Sequence, residues 1–242
     1  FFYTRTVPCE LWFLDKNKPK ERKDSVLMLD ARNSYRKVTR KIYDFSPEQM
    51  LNISAIIWLY RGENERFLNV VNKYLESTCE QSSLIERALQ GFEEALSDVT
   101  SPIAGQGSSP SKEGEPDIGS EIEVHSGEKI ALLREVKEFK EALSKKPPTT
   151  NEAQHAARKQ FDAVADRIKK VIKYVDHIYK ITARSCAEQG KEIGNGSTRG
   201  IGKLIKQLDE ARRNTVQQLK ETNYFYRQVC WLQDRFPEAE FK

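Results

Sequence analysis

Residues 157–182, ARKQFDAVADRIKKVIKYVDHIYKIT, decide the fold. Ala157, Phe161, Val164, Ile168, Val171, Val175, Ile178 and Thr182 alternate steps of four and three without a break. Those steps keep side chains on one face of a helix that turns every 3.6 residues, and a sustained run of them is a coiled-coil seam. Ile172 and Tyr179 widen the stripe, so this helix, expected over about 151–189, meets more than one neighbour. The glycine-rich QGKEIGNGSTRGIG (189–202) turns the chain. A second long helix is expected over about 201–235, with Ile201, Leu204, Leu208, Ala211, Thr215, Leu219, Tyr226, Val229 and Leu232 inward. A short turn between two long helices returns the second antiparallel to the first. The expected fold is mainly α, with a long antiparallel coiled-coil arm and a small β-hairpin at the N-terminus.

The hairpin is read from VPCELWFL (7–14), where Val7, Cys9, Leu11 and Phe13 alternate against Pro8, Glu10 and Trp12, and from SVLMLD (25–30). Between them lies the charged, proline-containing turn DKNKPKERKD. Two strands do not make a stable sheet alone, so Trp12, Phe13 and Leu14 call for a sheet beyond these two. Residues 31–45 are basic and aromatic with no clean period and read as an extended crossing segment, which closes a first region, 1–45. SPEQ (46–49) is a helix start: Ser46 as N-cap, Pro47 at the first position, Gln49 returning a hydrogen bond. The helices of 46–99 follow, stopping first at Gly62 and breaking again near 77–83, where polar Thr78 and Gln81 interrupt the seam. Residues 100–127 are rich in Gly, Ser, Pro and acids and are expected as a flexible linker. The C-terminal helical region, 128–242, opens with a short helix ending at Pro147 and Pro148.

Charge is uneven. The chain carries +4 overall, but 112–128 hold one Lys against six acids. The rest is therefore basic, which suits a polyanion without specifying one. No run of 18 apolar residues exists, so no membrane span is expected. Cys9, Cys79, Cys186 and Cys230 are scattered without a CxxC pair, which points to reduced, cytoplasmic thiols rather than a disulfide frame or zinc site. His125, His155 and His177 stand in separate segments without metal-ligand spacing, so no metal site is expected. GNGSTRGIG (194–202) lacks a preceding strand and a following Lys-Ser/Thr, so it reads as a helix–helix turn rather than a phosphate loop. No catalytic constellation is named.

The order FFYTRTVPCELWFLDKNKP, then VLMLDARN, SPEQM and AIIWLYRGE, with FPEAEF near the end, resembles the modification subunit of type I restriction–modification systems, an adenine-N6 DNA methyltransferase. The resemblance covers residues 1–76 and, more loosely, 201–242. It implies that residues 1–45 are the last strands of a Rossmann-like methyltransferase sheet and that the chain is a C-terminal fragment. It implies S-adenosylmethionine bound upstream, since no strand–glycine-loop unit and no Asn-Pro-Pro-aromatic tetrapeptide occurs here; this chain alone is expected to bind no cofactor and to be inactive. It also implies that Phe2, with Tyr3 as neighbour, stacks on an adenine flipped from the duplex, because the N6 amino group is out of reach inside the stack. Arg5, Lys16, Lys18 and Lys20 flank the hairpin and are candidates for phosphate contact. DNA and the specificity subunit are the implied partners. Phe161, Ile168, Val171, Ile172, Val175, Tyr179, Tyr224 and Trp231 are the candidate interface to that subunit, though homodimerisation of the arm would also cover them. Two rivals stand beside this reading: a coiled-coil adaptor without catalysis, and a small basic DNA-binding module.

Overall fold

The computed structural model describes residues 12–32, 34–104, 118–192 and 198–236, with side chains described except at 102–104, 189–192 and 198–199. The expected strand over 7–11, Phe2, Tyr3 and Arg5, the core of the linker and the middle of the glycine turn lie outside these residues. The chain divides into two compact units, residues 1–70 and 71–242. Six helices are described: α1 (Pro47–Tyr60), α2 (Asn64–Ser82), α3 (Ile85–Ala104), α4 (Ile118–Lys145), α5 (Asn151–Glu192) and α6 (Thr198–Gln233). Two short strands, β1 (Arg36–Lys37) and β2 (Tyr43–Asp44), pair antiparallel with Arg36 opposite Asp44.

The mainly helical class with a small hairpin holds, but the hairpin is not where the sequence pattern put it. Among the described residues neither 12–15 nor 25–30 is a strand. Val26 and Met28 are exposed, and no described segment pairs with them. A strand exists only by its neighbour's hydrogen bonds, so alternation without a partner stays extended and unpaired. The pairing falls instead within the supposed crossing segment, where Arg36 grips Asp44 through two hydrogen bonds of 2.9 and 2.7 Å. Tyr35 and Tyr43 stack edge to face at 5.4 Å beside it.

α1 follows its sequence signals closely. Ser46 Oγ accepts from the Gln49 amide at 3.2 Å, and Gln49 Oε1 accepts from the Ser46 amide at 2.9 Å, a complete capping box. At the other end Gly62 takes φ 79°. The Gly62 amide donates to Leu59 and the Glu63 amide to Trp58, the paired bonds of a Schellman stop that a glycine accommodates without strain.

In the second unit α3, α4, α5 and α6 form an antiparallel four-helix bundle. Pairings run in opposite directions along each interface: Glu135 to Arg167 and Glu121 to His177 between α4 and α5, and Arg158 to Asp234 and Asp176 to Arg212 between α5 and α6. The predicted seam is the core. Phe161, Val164, Ile168, Val171, Val175 and Ile178 are all buried, against Leu132, Val136 and Phe139 of α4 and Leu208, Leu219 and Val229 of α6 among others. The stripe widened by Ile172 and Tyr179 meets more than one neighbour, and the further helices are supplied by this chain itself. The linker is corrected, because α3 runs to Ala104 and α4 starts at Ile118. The acidic SEIEVHSGE stretch is helical since Ile122 and His125 face inward and its acids face outward or toward α5.

The break between α2 and α3 sits at 83–84, where hydroxyls of Thr78, Ser82 and Ser83 bond back to preceding carbonyls and compete with the helical ladder. Gln218 of α6 caps the break by donating to the Gln81 carbonyl at 2.9 Å, and Thr215 Oγ1 donates to the Ala88 carbonyl at 2.8 Å.

Phe161 lies between Phe139 and Tyr226, with ring centroids 4.8 and 4.9 Å away. Replacing Phe161 by Ala removes the ring that three helices share and should cost about 3–5 kcal/mol, read as a lowered denaturation midpoint. His125 gives a pH signature. It is buried, both ring nitrogens lack a hydrogen-bond partner, and burial holds its pKa below the usual value despite Glu93 of α3 at 3.9 Å, with Lys129 pushing the same way as burial. The unfolded chain binds this proton at about pH 6.5. The unfolded state thus holds more protons below that pH, and stability should fall from pH 7 toward 5. Denaturant titrations at both pH values should show a smaller drop for His125→Leu.

Candidate functional site

Five cations of the first unit, Lys16, Lys18, Lys20, Arg22 and Lys23, cluster in the loop that precedes the hairpin. Pro19 starts a single 3-10 turn, Lys20–Arg22. Arg22 Nη1 donates to the Tyr60 carbonyl at 3.0 Å, satisfying a last-turn carbonyl of α1 where the helix dipole favours a cation. Tyr60 reciprocates: its hydroxyl donates to the Ser25 carbonyl at 2.9 Å, and its ring lies under the Arg22 guanidinium at 5.5 Å. Lys18 also donates to the Ser25 carbonyl and stands 5.9 Å from the same ring. The loop 18–25 is thus latched to the end of α1.

This placement separates the candidate phosphate contacts. Lys18 is half-buried and committed to the latch, whereas Lys16 and Lys20 are exposed. Arg22 was not singled out from the sequence. Its signal was the Arg in a Lys/Arg-rich turn matched to an aromatic at the last position of a helix. Trp12, Phe13 and Leu14 are almost fully exposed, Phe13 and Leu14 at 90% and 91%. Three consecutive exposed apolar side chains are the composition of a covered surface rather than a solvated one.

The eight candidate interface residues also divide. Phe161, Ile168, Val171 and Val175 are core residues of the bundle. Ile172, Tyr179 and Trp231 are half-buried and Tyr224 is exposed. Arg212 stacks over Tyr179 at 4.9 Å and Arg235 over Trp231 at 3.5 Å.

The ionic groups of the second unit brace helices. Arg167 makes a two-pronged contact with Glu135 at 2.9 and 2.7 Å and reaches Glu128 at 2.5 Å, and these bonds hold its pKa above the usual arginine value. Arg212 joins Asp176 of α5 to Asp209 of its own helix, each at 2.7 Å. Tyr226 donates to Asp162, and burial raises its phenol well above the usual value. Burial likewise raises the Cys79 and Cys186 thiols, which disfavours the reactive thiolate. Among the described residues no three His, Cys, Asp or Glu groups stand together to hold a metal ion. Among the described residues no helix is long and apolar enough to cross a membrane.

The N-6 DNA methylase family model matches residues 1–78. Comparison with curated proteins gives no match, and comparison with solved structures gives none. The match spans about a third of the 242 residues and supports a relation of this region to DNA adenine-N6 methyltransferases. That family implies S-adenosylmethionine as methyl donor and DNA as substrate. The described part of the matched region does not fit the cofactor: β1 and β2 are two residues each, no glycine loop joins a strand to a helix, and Gly62 closes α1.

Substituting Tyr60 by Ala should free the 18–25 loop. Trypsin is expected to cut after Lys20, Arg22 and Lys23 several times faster than in the parent, with thermal unfolding of the bundle unchanged.

Proposed function

We propose that this chain serves adenine-N6 methylation of DNA as part of a type I modification subunit in the cytoplasm. Its first region finishes the edge of a methyltransferase sheet, and its helical bundle docks on the specificity subunit. The observation that carries this is the coincidence of the family match with the exposed Trp12, Phe13 and Leu14. A sheet edge that packs under neighbouring strands needs such residues, and nothing else described in the first unit uses them.

In this reading the cofactor is held by the methyltransferase core and this chain contributes contacts. Phe2, with Tyr3 beside it, stacks on the flipped adenine, an interaction worth roughly 1–3 kcal/mol per base. Arg5, Lys16 and Lys20 meet phosphates, while Lys18 positions their loop through Ser25. The partner surface is the outer set Ile172, Tyr179, Tyr224 and Trp231, because the seam residues already face their own bundle.

The rival adaptor reading is favoured by one feature, the closure of the bundle core from within. The two part on one measurement. In the intact modification enzyme, Phe2→Ala should slow methyl transfer to duplex DNA by about tenfold, the equivalent of roughly 1.4 kcal/mol. Unchanged kinetics with an intact fold would reject the stacking role and favour the adaptor. Tyr224→Ala with Trp231→Ala should weaken co-purification with the specificity subunit and leave the melting temperature unchanged.

A further inference from the structure

The outer face of α5 carries cations that neither the bundle core nor the methyltransferase match employs. Residues 169–184 hold Lys169, Lys170, Lys173, Lys180 and Arg184; Asp166 holds Lys169 at 2.8 Å and Glu188 holds Arg184 at 3.1 Å, and the one acid within the stretch is Asp176. That acid is turned toward Arg212 of α6. Lys170, Lys173, His177, Lys180 and Arg184 follow steps of three and four, so they share one face, opposite the buried Val171, Val175 and Ile178. All five are exposed. From Lys170 to Arg184 the stripe extends roughly 21 Å at 1.5 Å rise per residue.

The pairing of these cations is weak at the centre. Lys170 reaches Glu128 only at 3.9 Å and His177 reaches Glu121 only at 3.8 Å. Lys173 and Lys180 make no ion pair among the described residues, and with Tyr174, His177 and the Arg212-paired Asp176 they line one shallow groove. Like charges held along one face repel, and a polyanion relieves that repulsion while releasing its own counterions. A protein partner would require an apolar anchor at the centre of the patch, whereas the exposed positions of this stripe are cationic. Single-stranded nucleic acid would require stacking platforms, but Tyr174 is half-buried at the groove's side. A duplex presents about one negative charge per 1.7 Å of axis and asks only for such a row.

We propose that the outer face of α5, centred on Lys173 and Lys180, is a docking surface for the phosphate backbone of duplex DNA, without sequence reading. It rests on the proposed function only in taking DNA as the substrate. Its test uses direct binding rather than methyl transfer, so the two can fail separately.

The full chain would be titrated onto a fluorescent 30-base-pair duplex by anisotropy over a range of salt concentrations. Lys173→Ala with Lys180→Ala should weaken binding about tenfold or more at 0.1 M salt and reduce the salt slope by about 2. Glu121→Gln, which removes the acid beside His177, should strengthen binding. Lys137→Ala with Lys145→Ala, on α4, should change little, and circular dichroism should show every variant folded. Wild-type affinity and slope in the α5 double variant would overturn the proposal. So would equal loss in the α4 variant, or tighter binding of the chain to anionic phosphatidylserine vesicles than to the duplex.

Discussion

The bundle depends on the width of one apolar stripe. A helix paired with a single partner needs only a narrow seam, but α5 adds Ile172 and Tyr179 beside a seam that is already continuous. Water on any part of that width is costly, at about 25 cal/mol per Å² of apolar surface left exposed. The stripe is closed by α4 on one side and α6 on the other, and Phe139, Phe161 and Tyr226 bring a ring from each of the three helices to one point. Once α5 is fixed between two neighbours, α3 completes the enclosure against α6.

Burial alone does not set register, because one apolar stripe slides along another at little cost. The arginines supply direction. Arg167 engages Glu128 and Glu135, one face of α4 two turns apart, and Arg212 spans from α6 to Asp176 while stacking on Tyr179. Planar, bidentate guanidinium contacts tolerate little displacement. They also determine which charges remain outside. With Asp176 drawn to Arg212 and Glu128 to Arg167, Lys173 and Lys180 of its outer face are left without an ion pair among the described residues. The basic face is a consequence of how the core was braced.

What was legible in the sequence follows from locality. Ser46, Pro47 and Gln49 form a cap from adjacent residues, and Gly62 ends a helix by its own backbone freedom, so both were readable. The α5 seam was readable because periodicity is local, and the break near 77–83 because Ser and Thr hydroxyls act within one turn. The hairpin was misplaced because pairing is non-local: alternation at Val26 and Met28 says what a strand needs, not whether a neighbour is present. His125 was assigned to a linker because composition over 100–127 outweighed the few inward positions of a helix whose partners lie on α3 and α5. The latch of Arg22 on Tyr60 joins residues 38 apart and leaves only a faint trace, an aromatic at a helix end.

The division between covered and uncovered apolar surface constrains function more than charge does. Phe161, Ile168, Val171 and Val175 cannot serve a partner without opening the core, whose loss would exceed what a docking surface returns. The apolar positions of α5 and α6 left at the surface include Tyr224, Trp231 and the edges at Ile172 and Tyr179, and Arg212 and Arg235 lie over the Tyr179 and Trp231 rings. A partner there must displace or extend those cation–ring contacts, which favours one carrying carboxylates. Trp12, Phe13 and Leu14 impose the opposite condition: among the described residues no cation lies over them, and an apolar surface suits them best. The two units thus ask for different chemistry, a dry neighbour for the first and polar or anionic ones for the second.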